Sequence, residues 1–391
     1  MTRHARVALM STYYHPVLGG AEAAARRLAA FLVRRGHDVT VITTLTDAAL
    51  PREETIDGAR IERIGSPGPR ASARKWTIIP RMASELSRRS GDYDVICVID
   101  YRGVGLPAIF VGHRVGRRVA IQAQTEGVLS GSHLSALGRL VSWPARRAYT
   151  RADAVACISK GIQAEAIAAG VPAERVHYLP NTVDTDRFHP TERGERDRRR
   201  AELGWPVDRP LGIFVGRLSR EKGIVDLLRA WQRVPAHATL AVVGPDMPGH
   251  PWDESVRARE VAASPSLAGR VIFHGATTDP APLYRAADFA VVPSHWESFG
   301  LSAAEAMSSG LAVVASAVGG LTDYIVDGAN GLLVPAQNPP ALADAIVKLV
   351  NDPALRSRLA AAARDTVARF DERLVLERFG ALLDQLAEVR S

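Results

Sequence analysis

Cysteine is scarce: the 391 residues carry two, Cys97 and Cys157, each inside an apolar, strand-like run. That excludes a disulfide framework and predicts buried, reduced thiols, the habit of a cytoplasmic protein. No apolar run reaches the roughly 20 residues needed to span a bilayer. The opening Met1–Met10 turns polar too soon for a signal-peptide core and reads as a first strand. No Gly-x-Gly-x-x-Gly follows that strand, which argues against a nicotinamide dehydrogenase. Repeats and low-complexity segments are missing too. No compact basic run is interleaved with aromatics, so nucleic acid is the weakest class of partner.

What is present is 47% hydrophobic and 23% charged, ordinary for a globular chain long enough for two α/β domains. The net charge of +7 is uneven: residues 1–180 hold 25 Lys/Arg against 15 Asp/Glu, and residues 181–391 hold 24 against 27. A first half at +10 suits an anionic partner, such as the inner face of a membrane or a phosphorylated lipid. A solvated arginine-rich surface explains the same count. Trp76, Ile78 and Ile79, set among Arg70, Arg74, Lys75 and Arg81, read either as a peripheral membrane contact or as core packing beside exposed arginines.

Apolar β-rich runs alternate with amphipathic helical stretches, the pattern of parallel α/β sheets. Strands are predicted at Arg6–Met10, Asp38–Thr43, Val95–Ile99, Val119–Ala123 and Ala154–Ile158. Ala21–Arg35 places Ala24, Leu28, Phe31 and Leu32 on one helical face, closed by Gly36, and Ser159 caps a later helix. A second series follows at Leu211–Val215, Thr239–Val243, Val271–Phe273, Phe289–Val292 and Ala312–Ala315. The arginine-rich stretch 191–203 reads as a surface helix or loop, and Glu372–Glu388 as a closing helix. The fold class is therefore α/β, with two doubly wound Rossmann-like domains facing a central cleft: residues 1–182, residues 183–371, and a helix over 372–391 that packs back on the first. In such domains ligands bind beyond the carboxyl ends of strands, where the strand order reverses.

The densest chemistry follows the strand Phe289–Val292, where the chain reads Pro293-Ser294-His295-Trp296-Glu297-Ser298-Phe299-Gly300-Leu301 and then Glu305 on a helix. The N–H groups of Phe299, Gly300 and Leu301 stand at a helix start, a ready site for a diphosphate. Glu305 is placed to accept ribose hydroxyls. Two glutamates near a helix start also complement its dipole, so the spacing alone does not decide. Gly216-Arg217-Leu218-Ser219-Arg220-Glu221-Lys222-Gly223 does, because it follows Leu211–Val215 and brings a guanidinium fork and an ammonium to the same edge.

These residues resemble glycosyltransferase family 4, retaining enzymes of the two-domain GT-B fold. The likeness rests on Glu297 and Glu305, on Gly216-Arg217-Leu218 with Lys222-Gly223, on Leu179–Phe188, on Val318-Gly319-Gly320, on Gly328–Leu332, and on Pro16 with Gly19-Gly20-Ala21-Glu22. The resemblance implies a nucleoside-diphosphate-sugar donor, UDP- or GDP-linked, held by the second domain, and a hydroxyl acceptor on the first, lipid-linked or a secondary metabolite. Arg217 and Lys222 would hold the diphosphate, Glu305 the ribose, and Glu297 the transferred sugar. Phe299, Gly300 and Leu301 would donate from the backbone. Gly19 and Gly20 would let a loop approach the donor phosphate, a tight turn being the other reading. The turn at Gly275 is a weaker candidate for the base pocket.

No cofactor or metal is expected, since Asp184-Thr185-Asp186 has the letters of a metal motif but not a place after a core strand. One departure stands out. Many relatives carry a histidine after the strand matching Val119–Ala123, where this chain has Gln122-Ala123-Gln124-Thr125-Glu126. Gln124 or Glu126 is then the candidate at the acceptor side, with His15 beside the glycine turn; His113 and His133 read as surface residues. A nucleotide-sugar 2-epimerase on the same fold and a non-catalytic binding module are the other readings, and the match to the transferase loops disfavours both.

Overall fold

The structure, a computed structural model, describes residues 4–17, 19–65, 71–99, 104–131 and 136–388. His133 and Arg70, and the side chains of Arg74, Lys75 and Trp76, lie outside what is described; Ile78 and Ile79 are half-buried. The chain divides into two compact units, Met1–Asn181 with Arg373–Ser391, and Thr182–Glu372.

The first unit holds β1 (Arg6–Ser11), α1 (Gly20–Arg34), β2 (Asp38–Thr44), β3 (Glu53–Ile56), β4 (Ala59–Ile64), α2 (Ala71–Arg88), β5 (Val95–Ile99), α3 (Gly105–Arg114), β6 (Arg118–Ala123), α4 (Ala136–Tyr149), β7 (Ala154–Cys157), α5 (Lys160–Ala168) and β8 (Val176–Tyr178). Its strand order is β3-β4-β2-β1-β5-β6-β7-β8, parallel except for the antiparallel pair β3 and β4. Ser159 caps α5 as expected, accepting from the Ile162 N–H at 3.3 Å. Cys97 and Cys157 are free and buried, and desolvation pushes the Cys157 thiol up to about 12.

The second unit holds α6 (Arg193–Glu202), β9 (Leu211–Val215), α7 (Ile224–Trp231), β10 (Thr239–Val243), α8 (Ser255–Ala262), β11 (Val271–Gly275), α9 (Ala281–Arg285), β12 (Phe289–Val292), α10 (Leu301–Ser308), β13 (Ala312–Ser316), β14 (Leu332–Val334), α11 (Pro339–Asn351) and α12 (Pro353–Val367). Its order β11-β10-β9-β12-β13-β14 is wholly parallel and reverses between β9 and β12. Apolar residues run nearly unbroken through β9, β10, β12 and β13, which are buried on both faces. Trp231 of α7 stacks on Phe289 of β12 at 6.2 Å in the core.

The last helix, α13 (Glu372–Glu388), joins the first unit's core through Leu376, Phe379, Leu382 and Leu383. Burying such side chains contributes about 1.5–3 kcal/mol each. Arg35 pairs with Glu377 and, at 3.1 Å, with Asp384. No described helix is long and apolar enough to cross a membrane.

Two expectations are sharpened. Residues 193–202 form the expected helix, partly or fully exposed at its other described residues, but Arg200 within it is 1% exposed. It reaches Asp288 Oδ2 at 2.7 Å and the Ala286 carbonyl at 2.6 Å, partners far away in sequence. Gly275 is the final residue of β11, at φ 87°, rather than part of the turn beyond it.

Candidate active site

The reversal between β9 and β12 brings two loops together. The ladder between these strands holds Phe289 against Gly212 and Ala290 against Ile213. Beyond it, Gly216–Gly223 runs into α7 and Pro293–Gly300 into α10. Two contacts join the loops, and a third ties the second loop to α7. The His295 N–H donates to the Glu221 carbonyl at 2.8 Å. His295 Nε2 lies 2.7 Å from Asp226 Oδ2. Lys222 Nζ donates to Glu297 Oε2 at 2.6 Å. Gly223 has φ 69°, and a Cβ there would collide with the Pro293 carbonyl, so only glycine lets the backbones approach.

Lys222 and Glu297 are mostly buried, with side chains 22% and 13% exposed. Ser294 Oγ adds a longer contact of 3.4 Å to the same Glu297 oxygen. Arg217 is half exposed and pairs with Glu221. An exposed pair of that kind contributes about 0–1 kcal/mol, which leaves the guanidinium ready to exchange its partner for a ligand.

Gly300 enters α10 at φ 92° and no side chain caps that helix. The first-turn N–H groups of a helix have no intrahelical acceptor, so this start can receive an anion. The aromatic ring of Phe299 turns into the core, 5.4 Å from Tyr324 and 5.3 Å from Phe370, which fixes the backbone before the helix. The Gly320 N–H donates to the Glu297 carbonyl at 3.0 Å. Further along α10, Glu305 Oε2 lies 3.4 Å from the Tyr284 hydroxyl, which also donates to the Ser302 carbonyl at 3.1 Å. Burial, with the Glu305 carboxylate beside it, raises the Tyr284 phenol well above its ordinary value and keeps it a neutral donor.

The structure thus gathers Arg217, Lys222 and Glu297 on adjoining loops, with Glu305 on the helix that follows. Gly275 sits at the same carboxyl edge, on the outer strand β11. Sequence reasoning missed Tyr284, Asp226 and Gly244. The first two carry no motif, and a Cβ on Gly244 would collide with the Gly216 carbonyl.

The remaining candidates belong to the first unit. Gly19 caps α1 at φ −178°, a conformation open to any residue, and Gly20 begins the helix; both are exposed. His15 is exposed, its Nδ1 3.4 Å from Arg26. Gln124, just past β6, is 8% exposed and its Nε2 is buried without a partner, as is Asn181 Oδ1. Glu126 lines a cavity of about 660 Å³ with Trp143 and Arg146.

Similarity to known proteins points the same way. The family "Glycosyl transferases group 1" matches residues 195–366, and "Glycosyltransferase Family 4" matches residues 18–187. The chain is 31% identical to a D-inositol 3-phosphate glycosyltransferase of Xylanimonas cellulosilytica, covering 94% of each chain. It resembles the sucrose-phosphate synthase structure from Thermosynechococcus elongatus with TM-score 0.83 and 28% identity, covering 98% of this chain and 99% of that one. The fold is also that of Anabaena HepE, solved with UDP and glucose: TM-score 0.80, 22% identity, 98% and 100% covered. These relatives have the GT-B fold and are not epimerases. With two family matches dividing the chain and a relative alike over nearly its whole length, this protein belongs to glycosyltransferase family 4 and is a glycosyltransferase.

Proposed function

We propose that this glycosyltransferase draws its sugar from a UDP- or GDP-linked donor at the reversal point of the second unit. It passes the sugar, with retention and without a metal, to a hydroxyl acceptor. The observation that carries the reading is the 2.6 Å contact between Lys222 and Glu297 beside an uncapped helix start. As the nucleoside diphosphate departs, its growing charge needs fixed donors and cations. Lys222, Arg217 and the first N–H groups of α10 supply them. Glu305, steadied by Tyr284, accepts the ribose hydroxyls, and Glu297 contacts the sugar. The bond from C1 to the β-phosphate oxygen breaks, the acceptor oxygen bonds C1 on the same face, and its proton passes to the departing phosphate.

Lys222 and Arg217 bring two cations to this edge, which supports neutralisation of the leaving group by side chains. On the acceptor side, the unpartnered amides of Gln124 and Asn181 offer a donor and an acceptor to a hydroxyl.

A panel of UDP- and GDP-sugars, scored by thermal shift and by slow donor hydrolysis in EDTA, tests the proposal. At least one donor should raise the melting temperature and release its sugar with the anomeric configuration kept. Silence across the panel, a requirement for added metal, or an inverted product contradicts it.

A further inference from the structure

The amino-terminal edge of the second sheet, opposite the loops just described, holds a cavity of about 560 Å³. Pro210, Asp288 and Leu311 line it, and each immediately precedes a strand: β9, β12 and β13. Five arginines face this space (Arg196, Arg200, Arg209, Arg285 and Arg356) against two carboxylates, Asp208 and Asp288. The carboxylates are already engaged. Asp288 takes Arg196 on Oδ1 at 2.7 Å, and Arg200 and the Leu211 N–H on Oδ2 at 2.7 and 2.8 Å. Asp208 pairs with Arg209.

Arg285 and Arg356 have no ion pair among the described residues. Arg356 donates to the Leu349 and Val350 carbonyls. Arg285 donates to the Arg187 carbonyl at 3.0 Å, and its Nε is buried without a partner. Burial, opposed by Asp288 and reinforced by Arg196, lowers the proton affinity of Arg356. A half-buried cation without a counter-ion is costly, and a guanidinium fork matches phosphate oxygens. The volume lies within the range of small-molecule sites, about 300–1,000 Å³.

We propose that this arginine-lined cavity is a second ligand site, separate from the donor site, for a small molecule carrying a phosphate dianion. Tyr284 links the two regions: it lines the cavity, while its hydroxyl reaches Ser302 and Glu305 on α10. The site is independent of the donor proposal and is tested without turnover.

Calorimetric titration of inorganic phosphate and of a hexose 6-phosphate, at constant ionic strength, should show saturable binding of at least one. Tighter binding of the sugar phosphate identifies an organic ligand; equal binding identifies free phosphate. Arg356→Gln should weaken binding roughly tenfold or more. Arg209→Glu, at a rim side chain 38% exposed, should weaken it without threatening the fold. Lys222→Ala should leave it unchanged. Two results would overturn the proposal: no saturation by either ligand, or binding that survives Arg209→Glu and disappears with Lys222→Ala or excess UDP.

Discussion

At the reversal point of the second sheet the polar groups hold one another, Lys222 to Glu297 and Arg217 to Glu221. In the first unit, Gln124 Nε2 just past β6 and Asn181 Oδ1 just past β8 are buried with no partner. The two regions illustrate different costs. A buried charge without a partner costs several kcal/mol, so the mostly buried Lys222 keeps Glu297 beside it, while the half-exposed Arg217 holds Glu221 more loosely. An unpartnered amide costs about 1–3 kcal/mol, a price a fold can carry. Charge suits the part of the substrate that is always anionic; neutral amides suit a hydroxyl.

The largest expected effect breaks the charged side of this contrast. Lys222→Ala should lower donor turnover about 10²–10³-fold, the usual loss on removing one fixed donor to a charged transition state, read as kcat for donor hydrolysis. Wild-type turnover in that variant would remove Lys222 from the reaction. Next, Gly223→Ala forces a Cβ against the Pro293 carbonyl at positive φ. It should cost the second unit about 1–3 kcal/mol, visible as a lower midpoint in urea; an unchanged midpoint would mean the loops do not depend on that approach. On the neutral side, Gln124→Leu should reduce transfer to the acceptor by roughly tenfold while sparing donor hydrolysis. Equal losses in both assays would move Gln124 to the donor.

The smallest effect separates folding from chemistry. Burial alone would raise the Asp153 carboxyl, but the Val119 N–H, Arg118 and His113 together hold it below its ordinary value. A carboxyl lowered by folding binds fewer protons folded than unfolded. Its contribution is therefore complete above about 3.9, and is lost as pH falls through the lower folded value. Asp153→Asn should flatten the acid limb of thermal stability, and an identical limb would show that these bonds contribute nothing net.

Much of this was legible in the sequence because it is local. Val95–Ile99, Leu211–Val215, Thr239–Val243 and Phe289–Val292 are strands of those same bounds, apolar β-rich runs closed by polar turns. Glu372–Glu388 is likewise one helix over the expected span. The β3–β4 hairpin was not read, since its charged alternation hides a strand; yet Asp57-Gly58, both at positive φ, is a hairpin turn signal. β8 and β14 are three residues each, too short for any periodicity. Within the site, the loops were readable because charged residues follow predicted strands. The contact of His295 with Asp226, 69 residues apart, and the burial of Arg200 against Asp288, 88 apart, arise from sheet order alone.

The most direct measurement is calorimetric titration of UDP and GDP into the wild-type protein and into Lys222→Ala. The account predicts that at least one nucleotide binds and that its Kd weakens roughly tenfold or more in the variant. An undiminished affinity would contradict the placement of the donor diphosphate between β9 and β12.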